Sequence, residues 1–150
     1  MNDMLWNEIA KLRREVERLN VIETPKRFIP LTTPLTSTSW DGDAYSTTAK
    51  TKIDLSAVFS APAGIKAISA RIQARDSGSA ASGAIYLGIA PNDTAGQWAM
   101  VVSPRGLTND YGSFQTGICP CNVDGDIYYQ INASGANTLD AWIEIWGYWL

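Results

Sequence analysis

The residues of this chain with the chemistry to react are two thiols and a scatter of carboxylates, and their spacing argues against a reactive centre. Cys119-Pro120-Cys121 places one residue between its thiols, where thioredoxin-like redox motifs and zinc sites use a two-residue gap. The chain contains no histidine. No imidazole can therefore complete a tetrahedral metal site, and Ser-His-Asp and Cys-His catalysis are excluded with it. The expected role of the two cysteines is that of small hydrophobes at a strand edge. Asp41-Gly42-Asp43 and Asp124-Gly125-Asp126 have the look of calcium-loop fragments, but each lacks the long frame of oxygen ligands closed by a bidentate Glu, so turns are expected at both. Acids such as Asp54, Asp76 and Glu144 are scattered, with no pair marked for glycoside hydrolysis. The expectation is a protein that is not an enzyme and uses neither cofactor nor metal.

Binding chemistry has more to work with. Sugars are held by aromatic faces, on which their C–H surfaces stack, flanked by side chains that pair with the hydroxyls. Trp40-Asp41-Gly42-Asp43-Ala44-Tyr45 and Asn109-Asp110-Tyr111-Gly112-Ser113-Phe114 have that composition. They make Trp40, Asp41, Asp43, Tyr45, Asn109, Asp110 and Tyr111 the candidate ligand-binding residues; the alternative is two ordinary polar loops, each anchored by an aromatic. Nucleic acid is not an expected partner. The 150 residues carry a net charge of −3 and a pI near 4.8, whereas nucleic-acid binding needs a basic face. No apolar run approaches the roughly 20 residues that span a bilayer, and the first 24 residues carry charges where a signal peptide would need an apolar segment. A soluble chain without membrane insertion is expected.

The charge is unevenly distributed, and it marks a boundary. Nine of the first 24 residues are charged, against 18 of the remaining 126, and proline first appears at Pro25. Pro25 biases Thr24 away from helical geometry, so a helix should end near Ile22 to Thr24. Within it, Leu5, Ile9, Leu12, Val16 and Leu19 follow a 4-3-4-3 spacing. That is a coiled-coil seam, with Ile9 and Val16 at a and the leucines at d. Glu8 and Glu15 fall at g and Arg13 at e, placed for interchain pairing in a parallel arrangement. An amphipathic helix packed on its own domain is the alternative. A helix this short is marginal alone, so the downstream domain must help the chains associate. The a/d residue types lean weakly towards two strands.

From Lys26 the period changes to two, with turn residues between short runs. Arg27 to Leu31, Ala44 to Thr48 and Thr51 to Leu55 are candidate strands. Ile68, Ala70, Ile72 and Ala74 alternate with Ser69, Arg71, Gln73 and Arg75, giving one dry and one wet face. Ile85/Leu87/Ile89, Trp98/Met100/Val102, Ile127/Tyr129/Ile131 and Ile143/Ile145/Gly147 repeat the pattern. No helix is expected after Pro25. About eight short strands suggest an antiparallel β-sandwich, with a jelly roll the leading topology. The domains are then a stalk (residues 1–24), a linker with the first strands (25–50) and a head (51–150). The final run, residues 141–150, is apolar or aromatic on both faces, so both should be covered. The core covers one; either a neighbouring subunit or a long loop of the same chain covers Trp142, Trp146 and Tyr148. The first option adds those three to the oligomerisation residues.

One resemblance adds to these expectations. Ile53-Asp54-Leu55-Ser56-Ala57-Val58-Phe59, Pro62-Ala63-Gly64-Ile65-Lys66-Ala67, Arg75-Asp76-Ser77-Gly78, Asp124-Gly125-Asp126-Ile127-Tyr128-Tyr129-Gln130 and the terminal Gly147-Tyr148-Trp149 resemble, in pattern and cadence, the β-domain of small virion proteins of tailed bacteriophages. A short coiled coil feeding a compact β head is similar to phage fibre, receptor-binding and capsid-decorating proteins. The resemblance implies a homotrimer where the heptads lean to a dimer. It also implies a virion location and other virion proteins as partners through the stalk; two roles stay open, a host-adhesion protein with a host cell-surface glycan as partner and a capsid-decorating protein that binds no glycan. It carries no catalytic residues.

Overall fold

The computed structural model of the chain describes residues 2–20, 27–37, 40, 49–81 and 83–150, and within the first helix only the side chains of residues 6–15. Helix α1 spans Asn2–Asn20, where the heptad spacing predicts it. Ile9 is half-buried, while Leu12 is 60% exposed, so the apolar stripe is open at Leu12 in the single chain. The side chains of Leu5, Val16 and Leu19 lie outside the described set. Among the described residues no helix is long and apolar enough to cross a membrane.

The rest is mainly β. Strands β1 (Phe28–Leu35), β2 (Thr51–Ile53), β3 (Ala67–Asp76), β4 (Tyr86–Ala90), β5 (Met100–Val102), β6 (Ser113–Pro120), β7 (Ile127–Asn132) and β8 (Leu139–Trp149) form two antiparallel four-stranded sheets. Their orders are β1-β8-β3-β6 and β2-β7-β4-β5. Consecutive strands cross between sheets everywhere except β4 to β5, so the first strand lies beside the last. Pro30 and Pro34 fall in β1, an edge strand, where a missing N–H interrupts no interior ladder.

The core is the space between the sheets. Ile68, Ala70, Ile72 and Ala74 of β3 are fully buried beside Ile143 and Ile145 of β8 in the same sheet, in one cluster with Leu87 and Ile89 of β4 and Ile127 and Ile131 of β7 from the other. These are the apolar phases of the alternation, as period two dictates.

Four expectations are corrected. The run Thr51 to Leu55 is not all strand: β2 stops at Ile53, and Asp54 caps a one-turn helix, α2 (Leu55–Phe59), accepting from the Ala57 N–H at 3.0 Å. That turn buries Leu55 and Phe59, so the head does contain a helix. Trp98 shares its parity with Met100 and Val102 but precedes β5 and lies on the outside, over Gly88, where a Cβ would stand 2.5 Å from the indole. β6 was not anticipated as a strand. In β8, Ala70 opposes Ile145 and Ser69 opposes Gly147, leaving Trp146 as the extra residue of a β-bulge. The bulge reverses the parity beyond it. Gly147 therefore leaves the core phase and lies under the Phe28 ring, and Tyr148 turns inward onto its own chain's core. Tyr148 thus packs against the core of its own chain and is half-buried there. The candidate strand Ala44 to Thr48 lies outside the described residues.

Candidate functional site

The bulge and the pairing register together build one surface, the outer face of the β1-β8-β3-β6 sheet. Across β8, β3 and β6 the outward residues stand in rows: Asp140 beside Arg75, Trp142 beside Gln73 and Phe114, and Glu144 beside Arg71 and Thr116. Trp142 and Phe114 are 40% and 63% exposed. Large rings seldom stand this open in pairs on one face, and here guanidinium groups hold both. Arg75 lies 5.4 Å from the Trp142 ring and ion-pairs with Asp140. Arg71 lies 4.8 Å from the Phe114 ring, 3.7 Å from a Glu144 oxygen, and donates to Gln73 Oε1 at 3.4 Å. Trp146 Nε1 donates to the same Glu144 oxygen at 3.2 Å. These exposed ion pairs add little stability; their effect is to fix rotamers.

A shallow depression of about 180 Å³ opens among Arg71, Gln73, Trp142 and Glu144. Arg75 stands against the Trp142 ring but does not line the depression. β8 and β3 are interior strands of the sheet, which makes the floor rigid.

The loop residues singled out from composition have other positions. Trp40 packs on the core, its ring edge-on to Tyr129 at 5.3 Å and 87°. Asp41, Asp43 and Tyr45 lie outside the described residues. Asn109 and Asp110 are turn residues tied to the 76–80 loop: Asn109 Oδ1 accepts from the Ala80 N–H at 3.1 Å, and the Asp110 N–H donates to the Asp76 carbonyl at 3.0 Å. Tyr111 is exposed beside them. Among the described residues no hydrogen bond or ring contact joins the Trp40 segment to this one. Trp142 and Trp146, expected at a subunit contact, are on the outer face. Arg71 and Gln73 are not among the candidate ligand-binding residues, and Phe114, which closes the Asn109–Phe114 segment, joins them from β6; the wet phase of β3 is visible in the sequence, but only the register reveals what stands beside it.

The remaining reactive side chains are engaged in the fold. Cys119 is buried and Cys121 half-buried, both as free thiols, and burial pushes each up to about 12. In the Asp124-Gly125-Asp126 turn, Asn122 Oδ1 accepts from the Asp124 and Asp126 N–H groups, while the Asp126 carboxylate takes Lys52 Nζ at 3.1 Å. Among the described residues no three His, Cys, Asp or Glu side chains converge. Asp76, fully buried, accepts from the N–H groups of Gly78 at 2.7 Å and Ser134 at 3.0 Å and from the hydroxyls of Ser134 and Thr138. Burial raises its pKa, but these donors together hold it below the usual carboxylate range. On the opposite sheet, Lys50 lies 4.4 Å from the Trp98 ring and donates to the carbonyls of Asn92 and Gln97, an arrangement that closes the 91–99 loop.

No protein-family model matches the chain, and no curated protein matches it in sequence.

Proposed function

We propose that this chain is a non-enzymatic virion protein of a tailed bacteriophage, a homotrimeric fibre or receptor-binding protein whose head adheres to the host cell. The observation that carries the reading is the outer sheet face with Trp142 and Phe114 exposed and a guanidinium group against each ring, a surface suited to contact. The strand order β1-β8-β3-β6 against β2-β7-β4-β5 is that of a jelly roll, in keeping with the resemblance to phage β-domains. The stripe on α1, with Leu12 open, supports a stem that registers three chains and joins them to other virion proteins.

Multivalency is the mechanism. Three weak sites on one stem raise avidity by roughly 10²–10⁴ over one site, enough to hold a particle on a repetitive surface.

The second reading is a capsid-decorating protein that binds no glycan. It is favoured by the apolar half of the same face, where exposed Phe28 and Ile118 would suit a protein lattice. Immunogold labelling of virions separates the two: gold at the tail supports adhesion, and gold over the capsid supports decoration.

A further inference from the structure

We infer that the depression beside Trp142 is a binding site for one uncharged sugar ring of a polysaccharide. The inference deepens the adhesion reading and rests on it for its biological setting, but its chemistry stands on the face itself.

The described tryptophans are not equivalent. Trp40 packs against Tyr129, and Trp98 lies over Gly88 with Lys50 above it. Trp142 instead lines the depression, is 40% exposed and has Arg75 5.4 Å from its ring. An exposed indole that lines an open depression offers dispersion contact to the C–H surface of a pyranose. The rim supplies what hydroxyls require: Arg71 donates, Glu144 accepts, and Gln73 can do both. Gln73 Oε1 already accepts from Arg71, while its amide nitrogen has no protein acceptor among the described residues.

Charge selects against the other ligand classes. Arg71 is matched by Glu144 and Arg75 by Asp140, so the face is balanced. A carboxylated, sulfated or phosphorylated ligand would have to displace these pairs and would meet two carboxylates. A second copy of the chain is a poor occupant of this half of the face, because cores of protein interfaces are depleted of charge and here four charged side chains surround one indole. Size agrees. About 180 Å³ is below the roughly 300–1,000 Å³ of a site for a drug-sized ligand; it admits one ring, and its open sides let a polymer pass.

The test uses the full chain over polyacrylamide surfaces bearing glucose, galactose, mannose or N-acetylglucosamine, with glucuronic acid and 6-sulfated galactose as charged counterparts. Binding is read by surface plasmon resonance. At least one uncharged surface should retain the protein; Trp142→Ala should weaken retention by about tenfold or more, Gln73→Ala several-fold, and Tyr111→Ala not at all. All variants should keep the wild-type thermal midpoint and oligomeric mass. The inference is overturned if no uncharged surface is bound, if charged sugars are preferred, if Trp142→Ala binds normally, or if that variant changes mass. Labelling of host cells in parallel separates the two levels. Labelling that ignores Trp142→Ala leaves adhesion standing and removes this site, whereas sugar binding without cell labelling does the reverse.

Discussion

Asp76 shows at the scale of a single residue how a buried charge is tolerated when every lone pair is used. Its carboxylate ties the start of the 76–83 loop to the 134–138 turn, and its backbone carbonyl receives Asp110. Asp76→Ala would orphan two backbone N–H groups and should cost about 2–4 kcal/mol, measured as a fall in the urea midpoint. The pH dependence follows from the sign of its shift. A folded pKa below the unfolded value of about 3.9 gives stability that is complete above that value and is lost as pH falls through the folded one. Wild type should therefore lose stability on acidification below about pH 4, and Asp76→Ala should lose less. The two cysteines give an independent check. With thiols pushed up to about 12, the native protein should resist iodoacetamide at pH 8 and react at both positions only in denaturant. The structural use of the thiols was legible from the one-residue gap of Cys119-Pro120-Cys121. The importance of Asp76 was not, because its donors come from residues up to 62 positions away.

Elements were legible where inward positions were apolar. β3, β4 and β7 announce themselves because isoleucine, leucine, alanine and, at Tyr129, an aromatic fill every second place. β6 inverts the rule. Its inward residues are Ser113, Gln115, Gly117 and Cys119, opposite Ala74, Ile72, Ala70 and Ile68, while Phe114 and Ile118 point out. The small and polar inward set is possible because β5 comes close: Gln115 Oε1 accepts from the Val101 N–H at 2.9 Å, and a Cβ on Gly117 would stand 3.4 Å from the Met100 sulfur. The half of the candidate site that lies on β6 was hidden for this reason. The bulge in β8 was hidden too, since Gly147 continues the apparent alternation and only pairing shows the extra residue. A Cβ at Gly147 would meet the Phe28 ring at 2.6 Å and the Ile29 carbonyl at 2.9 Å, so Gly147→Ala should lower stability by about 1–3 kcal/mol, read by thermal melting. At α2, Asp54→Ala removes the cap and should lower the thermal midpoint.

At the scale of the whole molecule, the proposed stem and head would each supply what the other lacks. A 19-residue helix is marginal by itself, and one shallow sugar site is weak. Three chains would solve both problems, giving a mass near three times 16.3 kDa by light scattering after size exclusion; Leu12→Asp with Val16→Asp should lower that mass and leave the sandwich folded. Adhesion by a multivalent head is read by flow cytometry of host bacteria stained with fluorescent protein. Wild type should label the cells, and both the Leu12→Asp/Val16→Asp chain and Trp142→Ala should reduce labelling at least tenfold. Wild-type protein that leaves host cells unstained, or staining as strong with the seam broken, would contradict the account.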